Sequence, residues 1–112
     1  MKAGAVIANG TDAPVEDIDP IPSFHASVTR KAKDGSVFYP AERMTRMEAL
    51  RSYTINAAYA AFDEDIKGSL RPGKLADVTV FSKDIMTIPE DQIPTARVVY
   101  TIVGGAVEYT AR

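Results

Sequence analysis

The segment at residues 3–8 places the tightest constraint on the fold, because it is an unbroken run of small apolar residues. In a strand with one solvent-exposed face, apolar and polar residues alternate, whereas an unbroken apolar run is typical of a strand buried on both faces in a parallel sheet. So short a run is also compatible with a helix. The turn dipeptide Asn9-Gly10 closes it, and the acidic, proline-rich residues 11–22 are predicted to be a loop. We therefore expect a buried strand followed by an exposed connection.

Two helices are predicted to follow this loop. The first is predicted at residues 23–31, because Ile21, Phe24 and Val28 are apolar at helical spacing. Asp19 suits the N-cap of this helix, and Pro20 suits the first helical position. Thr45 and Glu48 have the spacing of a capping box, which predicts the start of the second helix. Its apolar stripe runs to about residue 62. A neighbouring backbone can approach this helix closely, because it carries alanine at positions 57, 58, 60 and 61.

The second half of the chain is predicted to form a small sheet. Residues 77–81 alternate and are β-branched, as in a strand. Residues 84–96 contain two prolines and are predicted to be a loop. Residues 98–103 and 106–109 flank Gly104-Gly105, which is typical of a hairpin with a two-residue turn. The order of strand, loop, two helices and three strands indicates the α+β class.

The composition removes most catalytic groups. The chain has no cysteine and one histidine, which excludes disulfides, thiolate nucleophiles, cysteine-bound zinc and a multi-histidine site of its own. The net charge of −2 argues against general nucleic-acid binding. No run approaches the ~20 apolar residues of a membrane span, and the apolar run near the N-terminus is too short for a secretory signal. We therefore expect no membrane contact and a cytoplasmic protein.

Asp12 is the first candidate for a chemical role, because it comes soon after the predicted buried strand. In barrel enzymes, catalytic groups lie at the C-terminal ends of the parallel strands. A carboxylate there can bind a metal ion or take a proton from metal-bound water. The alternative is an Asx turn that begins the Ala13-Pro14 loop, and the local pattern alone favours that turn.

The other polar clusters favour structural interpretations. His25 is the single histidine, and nothing in the sequence indicates a task for it. The acidic residues within 16–19 and 63–65 lack the ligand spacing of a calcium loop and are predicted to be solvated. The basic residues between positions 30 and 51 are predicted to form a solvated face rather than a nucleic-acid patch.

Three blocks of the chain carry a family resemblance. They are ANGTDAPVEDIDP at residues 8–20, a long block at 43–84, and VVYTIVGGAVEY at 98–109. The long block contains a Thr-x-Asn-Ala-Ala element at 54–58 and a Gly-Ser-Leu-x-Pro-Gly-Lys-x-Ala-Asp turn at 68–77. In this order they resemble the C-terminal segment of a TIM-barrel metal-dependent amidohydrolase: the last barrel strand with its aspartate loop, the final barrel helix, and the small β-domain with its terminal hairpin.

The resemblance implies a specific fold and chemistry. Residues 1–62 would be the last β/α unit of an amidohydrolase TIM barrel, and residues 66–112 would be C-terminal strands of its small β-sandwich domain. The family uses one or two divalent, zinc-type metal ions to hydrolyse C–N and related bonds. Asp12 matches the aspartate after the last barrel strand, so the resemblance implies that Asp12 is catalytic or binds the metal, and this outweighs the Asx-turn interpretation.

The family's His-x-His pair and middle-strand ligands have no match in this chain. A hydrolytic zinc site takes about three protein ligands, and a whole barrel needs roughly 200 residues or more, against 112 here. We therefore expect the isolated chain to bind no metal and to be inactive as a hydrolase.

The predicted strands also bear on partners. In the family that this chain resembles, the corresponding strands pair with strands that this chain does not contain. Without those neighbours the predicted strands would have unpaired apolar edges, and such edges tend to pair with other chains. We therefore expect a homo-oligomer formed by strand addition or exchange, or association with a missing barrel chain. Two alternatives to an inactive fragment stay open: a subunit of a split hydrolase, and a structural or binding module without chemistry. The retained Asp12 favours the hydrolase interpretations, and co-purification of a larger partner would separate the fragment from the split enzyme.

Overall fold

The first helix begins at the predicted N-cap. In the computed structural model, which describes residues 4–112, the Asp19 carboxylate accepts a hydrogen bond from the Ile21 N–H at 2.9 Å. Pro20 occupies the first helical position, where its missing N–H costs nothing. The helix ends where Arg30 takes a left-handed conformation with φ 57°. α1 therefore spans Pro20–Thr29, which confirms the predicted cap and the presence of a helix. The helix begins three residues before the predicted start at residue 23 and ends two residues before the predicted end at residue 31.

The second helix begins at the predicted capping box. The Thr45 hydroxyl oxygen accepts from the Glu48 N–H at 3.2 Å, and the Glu48 carboxylate accepts from the Thr45 N–H at 2.8 Å. These reciprocal bonds satisfy two backbone donors that a helix start leaves without partners. α2 accordingly spans Arg46–Tyr53.

The predicted single helix divides at Thr54. Its backbone has φ −121° and ψ −97°, and α3 follows at Ile55–Ala60. The Thr54 hydroxyl donates to the Leu50 carbonyl at 2.8 Å, while the Thr54 N–H donates to the Arg51 carbonyl at 3.2 Å. Such back-bonding competes with the regular helical bond and bends helices. The prediction of one continuous helix is therefore wrong at Thr54, although the helical region ends close to the expected residue.

The sheet is antiparallel, with the strand order β1-β2-β3. β1 spans Val78–Phe81, β2 spans Val98–Val103 and β3 spans Ala106–Thr110. Gly104 and Gly105 join β2 to β3 with φ 57° and 85°, as a two-residue type I′ turn requires. The predicted strand and hairpin are confirmed, and with the helices they confirm the α+β class.

The core lies between the helices and the segment at residues 84–96. That segment was predicted to be a loop, but it contains a 3-10 helix at Glu90–Thr95. Its apolar side chains point inward because α1 and α2 present a matching apolar face. The buried cluster consists of Ile21, Phe24, Val28, Ala49, Ile85, Ile93 and Ala96.

The predicted buried strand at residues 3–8 is wrong for the part that the structure describes. Ala3 lies outside the described residues. Residues 4–8 have no strand assignment and are exposed, with Val6 57% exposed and Ile7 37% exposed. A strand needs a neighbour with which to share backbone hydrogen bonds, and the sheet β1–β3 does not include this segment.

The helices are short. α1 has 10 residues, and a further 3-10 helix at Pro40–Glu42 has three. Within residues 4–112, no helix is long and apolar enough to cross a membrane.

Candidate functional site

Asp12 lies in the exposed turn that follows the extended N-terminal segment. Its backbone has φ 57°, a left-handed conformation that Asp adopts more readily than most residues. Its carbonyl accepts hydrogen bonds from the Val15 N–H at 2.8 Å and from the Glu16 N–H at 3.4 Å. Its carboxylate makes no hydrogen bond or ion pair with any residue in the described part of the chain. The turn therefore uses the Asp12 backbone and leaves the carboxylate facing solvent.

Helix side chains and backbone hold the segment that precedes this turn. The Asn9 N–H donates to the Ser52 carbonyl at 3.0 Å. The Asn9 side-chain amide donates to the hydroxyl oxygens of Ser27 and Ser52, at 3.1 Å each. The Asn56 side-chain amide donates to the Ile7 carbonyl at 3.0 Å. These bonds fix residues 7–9 against the helices, without any bond from the sheet.

The acidic residues predicted to be solvated have structural partners. Glu16 forms an exposed ion pair with Lys33 at 2.5 Å, and Asp19 caps α1. Asp63 forms an ion pair at 2.7 Å with Lys67, four residues further along the chain. The carboxylates of Glu16, Asp19 and Asp63 therefore have partners within the chain.

The donors near Asp12 do not fit a complete metal centre. Among residues 4–112, no three His, Asp or Glu side chains lie close enough together to hold a metal ion. Structural zinc sites take about four protein ligands and catalytic ones about three. Asp12 offers one carboxylate, so the described residues by themselves do not form such a site.

His25 lies on α1 and is partly buried. Burial lowers the pKa of its imidazole below the ordinary 6.5, and the nearby positive charge of Lys31 adds to that effect, while Glu90 opposes it. The imidazole is therefore biased toward its neutral form. Neither its position nor its neighbours give it a chemical task.

The basic residues predicted to form a solvated face have intramolecular partners. The Arg30 guanidinium lies 4.1 Å from the centre of the Phe38 ring. Arg43 forms an ion pair with Glu90. Arg46 donates two hydrogen bonds to backbone carbonyls of the neighbouring segment, and both join α2 to the core.

A sequence model of the amidohydrolase family matches residues 1–109. The chain belongs to the amidohydrolase family. This amidohydrolase chain is 39% identical over 114 residues to the protein LONG AFTER FAR-RED 3 of Arabidopsis thaliana. It is 30% identical over 109 residues to an N-substituted formamide deformylase of Arthrobacter pascens. It is also similar to the crystal structure of an amidohydrolase from Thermotoga maritima MSB8, with a TM-score of 0.66 and 26% identity.

These similarities run along nearly the whole amidohydrolase chain but cover a small part of each relative. They include 94% and 97% of this chain, but 18% of the Arabidopsis protein and 20% of the deformylase. The structural match covers 98% of this chain and 24% of the Thermotoga chain. The chain thus spans about a fifth of the length of its curated relatives. Its recognition as a C-terminal segment of an amidohydrolase is confirmed.

The sequence patterns do not identify the residues that hold the N-terminal segment of this amidohydrolase. Asn9 was interpreted as part of a turn, and Asn56 was noted as part of the Thr-x-Asn-Ala-Ala element. The sequence patterns give no role to Ser27, which lies on α1, or to Ser52, which lies on α2. A polar residue on a buried helix face was the available signal, but it does not identify its partner.

Proposed function

We propose that this chain forms the last β/α unit of an amidohydrolase TIM barrel, at residues 1–62, and strands of its small β-sandwich domain, at residues 66–112. The complete protein would be a metal-dependent hydrolase of non-peptide C–N bonds. The observation that carries this proposal is the position of Asp12. The family match runs through it, and its carboxylate is exposed at the end of an extended segment held against two helices.

Asp12 would contribute one carboxylate to the active site, either as a metal ligand or as a general base. The remaining ligands would come from residues outside this chain, because the described residues offer no cluster of three donors. We accordingly propose that the isolated chain does not hydrolyse amidohydrolase substrates. The name of the formamide deformylase relative suggests an N-substituted formamide as the first test substrate.

Surface exposure supports association with another polypeptide. β1 and β3 each have one edge that pairs with no described strand. The strands also expose apolar side chains that are more typical of an interface, at Val80, Tyr100, Val103, Val107 and Tyr109. We propose that these surfaces are covered by the barrel portion of the same enzyme, or by a second copy when the chain is alone. Light scattering that shows a monomer at micromolar concentration would contradict the second arrangement.

A chimera tests the role of Asp12. Residues 1–109 of this chain would replace the matching part of the formamide deformylase, and formamide hydrolysis would be measured in the folded product. We expect Asp12→Ala to lower kcat by at least about 100-fold, the usual loss for a general base. Asp17→Ala is the matched control, because Asp17 is an exposed carboxylate of the same loop.

Equal activity of the Asp12→Ala and Asp17→Ala chimeras would overturn the proposed role. It would favour the alternative that this segment is a structural module in which Asp12 has no chemical task. Hydrolysis by the isolated chain with saturating zinc, abolished by Asp12→Ala, would contradict the proposal that it is inactive alone.

A further inference from the structure

The hydrogen bonds around Asn9 have a defined direction. The Ser27 hydroxyl donates to the Ser23 carbonyl at 2.9 Å, and the Ser52 hydroxyl donates to the Ala49 carbonyl at 2.7 Å. Because both hydroxyl hydrogens are used in this way, both oxygens face Asn9 as acceptors. The side-chain amide of Asn9 supplies the two matching N–H groups. We call Asn9, Ser27 and Ser52 the Asn9 cluster.

The Asn9 cluster joins the extended segment to two helices at once. Ser27 lies on α1 and Ser52 on α2, and Ser52 is fully buried. The Ser52 carbonyl adds a third bond, from the Asn9 N–H at 3.0 Å. No strand of the described sheet pairs with this segment. The cluster therefore supplies the fixation that neighbouring strands give to a barrel strand.

The position of Asp12 depends on this fixation. Asp12 is three residues beyond Asn9, so its Cα lies within about 11 Å of the Asn9 Cα even in a fully extended chain. Its carboxylate has no hydrogen-bond partner among residues 4–112 that could orient it. Its direction is set by its backbone, and the backbone is held on one side by Asn9 and on the other by the Val15 N–H.

We propose that Asn9 is the positioning residue for Asp12, acting through the Asn9 cluster. This inference rests on the proposed function of Asp12. Asn9 itself touches no reacting group. Its amide holds the segment between α1 and α2 so that the turn at Asp12 starts from a fixed point. Asn56 supports it from α3 through the Ile7 carbonyl.

The first test uses the chain as it is. Backbone ¹⁵N order parameters would be measured for wild type, Asn9→Leu and the double variant Ser27→Ala/Ser52→Ala. Leucine keeps the branch of asparagine at Cγ but removes both donors, and the double variant removes both hydroxyl acceptors with little loss of packing. We expect the order parameters of the backbone amides of Thr11, Asp12, Ala13 and Val15 to fall from rigid values near 0.85 to below about 0.6, with Ser82 unchanged. Ser36→Ala is the control, since its hydroxyl bonds Asp34 in a turn outside the cluster.

The second test uses the deformylase chimera. If Asn9 positions Asp12, both cluster variants should lower kcat by about 10-fold to 100-fold with KM unchanged. A misplaced catalytic group slows the chemical step, whereas the contacts that bind the substrate are unchanged. Unchanged order at residues 11–15 in both variants, or a rise in KM without a fall in kcat, would overturn the inference. If the cluster variants keep full activity while Asp12→Ala abolishes it, the positioning role is wrong and the proposed function stands. If Asp12→Ala keeps full activity, the proposed function fails, and the positioning role fails with it.

Discussion

Gly68 lies so close to Ala58 that a Cβ built on the glycine would stand 2.8 Å from the Ala58 Cβ. The same Cβ would lie 2.9 Å from the Cα of Ile55, which is backbone and cannot move aside. The loop that follows α3 therefore folds back onto α3 along its small side chains. Ala58 thus has the role predicted for it, that of a residue small enough for a neighbouring backbone to approach.

Gly68→Ala should destabilise the chain more than Gly73→Ala. Both glycines have a left-handed backbone, with φ +83° and +91°, so alanine costs about 1–2 kcal/mol of backbone strain at either position. At Gly73 a Cβ meets no atom within 4 Å, whereas at Gly68 the clash adds about 1–3 kcal/mol. Urea denaturation of the two variants measures the difference. Equal losses would show that the close approach to α3 is not tight.

Ile93→Ala should lower the free energy of unfolding by about 2–5 kcal/mol. Ile93 is fully buried in the 3-10 helix at Glu90–Thr95, so its truncation leaves a cavity between that segment and α1. Ile66→Ala is the matched control, because Ile66 is 52% exposed. If both variants lose less than about 1 kcal/mol, residues 84–96 do not belong to the core.

Glu48 should make α2 sensitive to acid. Hydrogen bonds from the Thr45 N–H and then the Thr45 hydroxyl hold the pKa of this carboxyl at about 2, against an ordinary 4.5. Because the folded pKa is depressed, its stabilisation is complete above pH 4.5 and is lost as pH falls toward about 2. Glu48→Gln keeps the capping geometry and should reduce this part of the pH dependence. Circular dichroism across that range, compared between the two proteins, is the measurement, and identical acid profiles would contradict the assignment.

His25 should titrate below its ordinary pKa of 6.5, first because it is buried and second because Lys31 is close. The unfolded chain then binds the proton more readily, so the free energy of unfolding should fall as pH drops from 6.5 toward the folded pKa. In an NMR titration of the imidazole, Lys31→Ala should raise the pKa, and Lys33→Ala serves as the charge-matched control. A wild-type midpoint at or above 6.5 would refute this.

Local chemistry made several elements predictable. The N-cap at Asp19, the capping box at Thr45 and the Gly104-Gly105 turn all act within about four residues of sequence, and all three are confirmed. Each pattern fixes a local hydrogen bond or a backbone conformation that few residue types can supply. Asp12 is a candidate because of its position after the predicted strand, and the family resemblance favours its chemical role over the Asx turn. Its exposed position in the structure does not test that role.

Long-range contacts were not predictable in the same way. The Asn9 side chain donates a hydrogen bond to Ser52, which is 43 residues away, and no sequence pattern in either segment predicts this contact. The segment at 84–96 is predicted to be a loop because it contains Pro89 and Pro94, and nothing local to it indicates that Ile85 and Ile93 are buried in the core. The strand predicted at residues 3–8 depends on neighbours that the described part of the chain does not supply.

Native mass spectrometry of the purified chain with added zinc tests the central claim most directly, because it reports bound metal and assembly state together. If this amidohydrolase segment contributes one carboxylate to a site completed elsewhere, the chain alone should retain no stoichiometric zinc in any assembly state, with Asp12→Ala indistinguishable from wild type. One zinc ion per chain, lost on Asp12→Ala, would contradict the account, because the chain would then build a metal site of its own.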